Sequence, residues 1–360
     1  MNASDQITTA NAGRVPLDLV TGFLGSGKTT LINAVLRDPA FAGTLVIVNE
    51  FGEVGLDHLL VSSADDQVVL LDSGCLCCAS SGSLRDTLID VFARRSGGSV
   101  PAFDRIIVET SGLANPAPLV ASLLGDSALA PRCSLAQVLT LVDAGNGLQT
   151  LDRYDEACRQ VAFADRLLIS KPDTATNESL AQLRERLTAM NNHALPGQWQ
   201  RNDPPAPHFT ALPQGLRSGA STPVSAWMRG PLRPQYAPDD GITSTERQAD
   251  HHGEAFRQIT THVIAVPDTL DWPTYADWTH QLTARLGKRL LRCKGLLRIG
   301  DNPSQADTPW IVQGVQGYFA PPERLTEWPT ASSRQTFLVC IGESLQRAEL
   351  DAILECSPIF

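Results

Sequence analysis

No stretch of the 360 residues approaches the ~20 continuous apolar residues that a membrane-spanning helix requires. The first fourteen residues, MNASDQITTANAGR, lack the apolar run of a secretory signal, so the expected location is the cytoplasm. Basic residues are the minority, 29 Lys and Arg against 39 Asp and Glu, and the formal charge is −10. A balance of that sign removes bulk attraction for nucleic acid or an anionic membrane, and neither is expected as a partner. No internal repeat is present. In a reducing compartment a disulfide framework is excluded as well. The chain has eight Cys, and three of them crowd into Cys75, Cys77 and Cys78, a pattern of metal or redox chemistry. What the chain does have is 42% apolar residues and the length of about two domains.

Short runs rich in Val, Ile and Leu occur at 15–23, 44–49, 68–72, 105–109, 138–142 and 166–170. They are almost unbroken by polar residues, as strands buried on both faces are. Helical patterns separate several of them, the clearest at 29–37, where Leu31, Ile32, Val35 and Leu36 form one stripe. The alternation predicts a doubly wound, mostly parallel α/β domain over 14–195. Residues 196–252 turn to Pro, Gly, Ser, Arg and Gln and read as a linker, with some helix near 222–228. From 253 to 360 the pattern is β-α-β-β-β-α, a smaller α+β domain. Its strands are expected at 255–266, 290–299, 310–319 and 335–341, with a closing helix at 343–355. Its helical stripe of Trp272, Tyr275, Trp278, Leu282 and Leu286 reads as core.

Gly22-Phe23-Leu24-Gly25-Ser26-Gly27-Lys28-Thr29 matches G-x-x-x-x-G-K-[ST] without a gap, between a predicted strand and a predicted helix. Gly25 and Gly27 allow successive N–H groups, including those near Ser26 and Thr30, to curl around a phosphate. The helix that follows adds its positive N-terminus. Lys28 reaches the β- and γ-phosphates, and Thr29 offers its hydroxyl to Mg²⁺. The sequence Ile106-Ile107-Val108-Glu109-Thr110-Ser111-Gly112 places a carboxylate at the end of another strand. Glu109 is a candidate to hold Mg²⁺ through water or to orient an attacking water. Gly112 is a candidate to bring a backbone N–H to the γ-phosphate.

Ser170-Lys171-Pro172-Asp173 follows the run at 166–170 and resembles the Asn-Lys-x-Asp motif of guanine-nucleotide proteins, with Ser170 in place of Asn. By that resemblance Asp173 reads the guanine edge and Lys171 packs its stem over the base. The three clustered thiols form a zinc-type donor set, and a tetrahedral site leaves one place. Glu50, in Asn49-Glu50-Phe51-Gly52-Glu53, also follows a strand and is a candidate for that place, and His58 is another. A redox pair and inert buried thiols remain alternatives. Cys133, Cys158, Cys293, Cys340 and Cys356 read as isolated structural residues.

GFLGSGKTTLINAVL, NEFGEVGLDHLL, GCLCC, ETSGLANP and SKPD occur in that order, and LLRCKGLLRI, WIVQGVQGYF and WPTASSRQTFLVCIG follow in the C-terminal part. Together they resemble the CobW-type metallochaperones, a branch of the P-loop GTPases. The resemblance implies GTP hydrolysis coupled to handling a transition metal, usually zinc; three thiolates and a carboxylate would bind Co²⁺ similarly but more weakly. The resemblance makes Cys75, Cys77 and Cys78 the metal site, with Glu50 in an adjoining switch segment, and a client metalloprotein the partner. His251 and His252 stand where many relatives carry a His-rich tract, and read as solvated linker histidines or a remnant of that tract. The closeness of metal-type and switch-type residues in the sequence leads to the expectation that segments 50–58 and 109–115 order around the γ-phosphate. No arginine finger is evident, although Arg85 and Arg105 lie near the motifs. A small-molecule kinase would share the phosphate loop, and a nucleotide-gated metal buffer would share the thiols without needing hydrolysis.

Overall fold

β1 (Val15–Gly22) is buried at every position, as a strand covered on both faces must be. It lies at the centre of a seven-stranded sheet in the computed structural model, which describes residues 14–48, 69–70, 81–209, 259–267, 269–300, 308–325, 328 and 336–355. In chain order the first domain runs β1, α1 (Lys28–Arg37), β2 (Thr44–Val48), β3 (Val69–Leu70), α2 (Ser81–Ser96) and β4 (Arg105–Glu109). It continues with α3 (Pro116–Gly125), β5 (Cys133–Asp143), α4 (Gly147–Arg153), α5 (Asp155–Phe163), β6 (Arg166–Ser170), α6 (Asn177–Met190) and β7 (Leu195–Trp199). The strand order is β3-β2-β4-β1-β5-β6-β7 and every pairing is parallel. Strands β2 to β4 lie on one side of β1, and β5 to β7 on the other. The connections diverge at the carboxyl ends of β1 and β4, the place where open α/β sheets hold ligands.

One boundary differs from the sequence expectation. Residues 196–209, expected as the beginning of the linker, belong to this domain. β7 pairs with β6 from Leu195 to Trp199. Beyond it, Phe209 sits edge-on against Phe41 with ring centroids 5.1 Å apart. Pro196 hid the strand, because proline suits only an edge strand, which β7 is. The helix expected near 222–228 lies outside the described residues.

The C-terminal domain contains β8 (Ile259–Ala265), α7 (Trp272–Leu286), β9 (Leu290–Leu297), β10 (Trp310–Val315), β11 (Tyr318–Phe319), β12 (Glu323–Arg324), β13 (Phe337–Glu343) and α8 (Arg347–Leu354). Its strands form an antiparallel sheet of order β11-β10-β9-β13-β8, with β12 paired to β10. The run expected as one strand at 310–319 is split by a tight turn in which Gln316 and Gly317 take positive φ. Tyr275, Trp278, Leu282 and Leu286 are buried as the stripe predicts, whereas Trp272 is 37% exposed at the edge.

Alternation along β9 divides its side chains between two masses. Cys293 and Leu297 join α7 in the core of the C-terminal domain. Leu296 joins a cluster that also contains Phe163, Leu167 and Met190 of the first domain. Arg292 and Lys294, on that same side, both pair with Asp165 of the first domain. Among the described residues no helix is long and apolar enough to cross a membrane.

Candidate functional site

The chain leaves β1 at Gly22 and enters α1 at Lys28 through a loop closed by its own backbone, with Ser26 N–H donating to Phe23 O at 3.1 Å. Gly25 (φ 73°) and Gly27 (φ 92°) hold left-handed conformations there, and Gly27 caps α1. The Lys28 ammonium turns back over the loop and donates to Gly22 O at 2.9 Å and Phe23 O at 3.2 Å. A cavity of about 270 Å³ opens above, lined by Gly25, Gly27, Lys28, Thr29 and Thr30 from the loop side. Glu109, Gly112 and Lys171 line it from other elements. Gly22 and the buried Ser26 are not among its lining residues.

Glu109 ends β4 beside β1, and its carboxylate accepts a hydrogen bond of 2.9 Å from the Thr29 hydroxyl. Expected from two separate motifs, these two oxygen donors meet at the cavity wall. An oxygen-only pair of this kind suits a hard cation such as Mg²⁺ rather than a thiophilic one. Thr110 steadies the strand ends, with its N–H donating to Val20 O and its hydroxyl 2.9 Å from the Thr21 hydroxyl. Gly112 presses on the phosphate loop itself. A Cβ there would stand 2.8 Å from Leu24 N and 2.9 Å from Leu24 Cα, so no other residue fits without a shift of backbone. The carbonyl of Gly112 accepts from the buried Gln160 amide of α5 at 3.1 Å, and that of Ala114 accepts at 3.0 Å. Gln160 did not stand out in the sequence, because a lone Gln in a helix carries no motif.

At the end of β6, Ser170 supplies a link to the loop through a shorter side chain than the usual Asn. Its hydroxyl donates to Ser26 O at 2.7 Å. Lys171, in a left-handed conformation at φ 50°, donates to Gly25 O at 2.5 Å and to Asp143 Oδ2 at 2.7 Å. Asp143 was not expected in this role. Its other carboxylate oxygen accepts from the N–H groups of Gly145 at 2.8 Å and Asn146 at 3.0 Å. One acidic residue thus fixes both the turn after β5 and the lysine over the loop. Asp173 lies in a 3₁₀ turn, Pro172–Thr174, exposed to solvent and outside the cavity lining.

Glu50, His58, Cys75, Cys77, Cys78, His251 and His252 lie outside the described residues, as does Cys356. Cys133 and Cys158 are buried, and burial pushes their thiols up to about 12 and about 11. Cys293 and Cys340, expected to stand alone, are instead cross-strand neighbours with sulfurs 3.9 Å apart. Arg85 pairs with Asp126, and Arg105 is buried beside Asp18, and neither lines the cavity.

Comparison with known proteins agrees with this geometry. Residues 16–196 match the family CobW/HypB/UreG, nucleotide-binding domain, and residues 259–356 match the Cobalamin synthesis protein cobW C-terminal domain. Zinc chaperone YjiA of Escherichia coli is 29% identical over 339 residues, covering 94% of this chain and 97% of that protein. Zinc chaperone CobW of Pseudomonas aeruginosa is 27% identical over 375 residues, covering 94% and 90%. The crystal structure of Zn(II)-bound YjiA GTPase from E. coli superposes with a TM-score of 0.59 at 26% identity, covering 95% of this chain and 98% of that one. The parallel α/β domain and the separate antiparallel domain are accounted for together: the chain belongs to the CobW/HypB/UreG family of P-loop nucleotide-binding proteins and carries the CobW C-terminal domain.

Proposed function

We propose that this chain hydrolyses GTP and uses the nucleotide state to control the binding of zinc and its delivery to a client metalloprotein in the cytoplasm. The observation that carries the reading is the convergence of Lys28, Thr29 and Glu109 on one cavity beneath Gly112. With GTP bound, Lys28 exchanges its contacts to Gly22 O and Phe23 O for the β- and γ-phosphate oxygens, and the loop N–H groups take the remaining charge. Thr29 would hold Mg²⁺, which would supply charge neutralisation across the phosphates when bound. Glu109 orients the attacking water, and Gly112 brings backbone to the γ-phosphate. Guanine selection falls to Asp173, with Lys171 packed over the base. The lysine is held in place by Asp143 and the Gly25 carbonyl.

Zinc is the cargo. Cys75, Cys77 and Cys78 with Glu50 form a donor set that suits it, and the relatives above are named zinc chaperones. The reading is tested by phosphate release and zinc affinity on the same preparation. Phosphate should appear from GTP and water with no acceptor, which separates a GTPase from a kinase, and Glu109→Gln should lower kcat on the order of 10²-fold. Zinc dissociation constants should differ between the GDP state and a GTP-analogue state. Equal constants would sink the coupling of nucleotide to metal, and transfer to a client that survives Glu109→Gln undiminished would favour a passive buffer.

A further inference from the structure

Helix α5 touches the candidate nucleotide site and the C-terminal domain at once. Its buried Gln160 holds the carbonyls of Gly112 and Ala114 at 3.1 and 3.0 Å. The preceding residue, Arg159, donates to Glu343 of β13 at 3.2 Å. The carbonyl of Phe163, the last residue of the helix, accepts from the Arg292 guanidinium of β9. Arg159 and Phe163 are four residues apart and lie on one side of the helix, while Gln160 is turned by about 100° from Arg159. The helix is only nine residues long, and Ala157, Cys158, Val161, Ala162 and Phe163 are buried with Gln160, so it has no slack to absorb a displacement. Thr140 of β5 donates to the Gln160 carbonyl at 2.9 Å and gives the helix a fixed point about which to tilt.

We propose that α5 couples the nucleotide site to the C-terminal sheet, with Gln160 as the positioning residue through which the state of segment 112–114 is transmitted. The proposal rests on the nucleotide-site reading given above. Ser111 and Gly112 line the cavity, and Gly112 is in tight contact with Leu24 of the phosphate loop. A nucleotide that repositions this segment must either carry the Gln160 amide with it or break its two hydrogen bonds, the one to Gly112 being buried. A short, close-packed helix answers by moving as a unit. The contacts of Arg159 and Phe163 then pass the movement to β13 and β9. Linkage makes the effect reciprocal, so loosening the C-terminal contacts must change the relative affinities for the two nucleotide states.

The test uses the full chain with GDP and with a non-hydrolysable GTP analogue. Hydrogen exchange is followed over 290–297 and 337–343, and both nucleotide affinities are measured. In the unmodified chain, exchange in these strands should differ between the two states. Gln160→Met, similar in length but without the amide donors, should abolish the difference. Arg159→Ala should still bind both nucleotides but shift the ratio of their affinities about fivefold. Identical exchange in a chain that binds both nucleotides overturns the coupling and leaves the site reading standing. An undiminished difference in Gln160→Met overturns it as well. Should that variant fail to fold, an unchanged affinity ratio in Arg159→Ala overturns it alone. A chain that binds neither nucleotide overturns the site reading and the coupling together.

Discussion

His193 shows how much one side chain at the domain junction can govern. Its Nε2 is sealed from solvent, and its ring faces Phe337 at 6.2 Å. Burial first, and then the nearby charges of Lys294 and Arg292, push its pKa down to about 4. In the unfolded chain an imidazole titrates near 6.5. Between those values the unfolded state takes up a proton that the folded state refuses, so stability is full above pH 6.5 and falls as pH drops toward 4. The loss should be on the order of 3 kcal/mol. Urea midpoints measured across this range should fall less steeply for His193→Gln than for the unmodified chain, and parallel curves would count against the assignment. No pattern marks His193 in the sequence, since its environment is made by a strand 144 positions away. Lys28, Thr29, Glu109 and Gly112, which the fold brings to one cavity, could be singled out in the sequence because each stands at or after the end of a buried strand within a motif. Gln160 and Asp143 were not, because they act by holding other groups, and only the fold brings those groups near.

At the scale of elements, the connection after β4 is the part most tightly bound to the phosphate loop. A Cβ added at Gly112 would stand 2.8 and 2.9 Å from backbone atoms of Leu24, and backbone cannot swing aside as a side-chain end can. Gly112→Ala should therefore force the loop and the connection apart. The expected cost is about 1–3 kcal/mol of stability from overpacking. Affinity for a GTP analogue should fall at least about tenfold, or about 1.4 kcal/mol. Isothermal titration alongside a denaturant curve checks both, and unchanged affinity would mean that the loop tolerates the shift. The central strands were readable in the sequence for the same reason that this contact is rigid: strands buried on both faces are continuous apolar runs. Where that condition lapses, the reading failed. β7 is an edge strand containing Pro196 and Gly197, and its composition passed for linker. β10 and β11 read as one strand because nothing in their apolar pattern marks the turn at Gln316 and Gly317.

The two domains are joined as one mass rather than tethered. Leu291, Leu296, Ile311 and Val339 of the C-terminal sheet pack in the same cluster as Val138, Phe163 and Leu167. Within this contact Asp165 accepts from Arg292 at 3.0 Å and from Lys294, and all three side chains are buried. Its Oδ2 also accepts from the Val138 N–H of β5 at 2.7 Å. Burial alone would raise the Asp165 pKa, but Arg292 and Lys294 hold it below the usual carboxylate range, so the group stays charged. Burial, followed by Arg292, pulls Lys294 below the ordinary lysine range. Asp165→Asn would leave two buried cations without their counter-charge. Removing one member of such a cluster costs about 3–5 kcal/mol. Lys294→Met removes a cation that burial already disfavours and leaves Asp165 paired with Arg292, so its loss should be the smaller of the two. Because the cluster and the apolar contact span both sheets, unfolding should remain a single transition in the unmodified chain. Hydrogen exchange in β5 and in β9 should report the same free energy of opening, and Asp165→Asn should lower both together. A variant that weakened β9 while leaving β5 untouched would show that the domains fold separately.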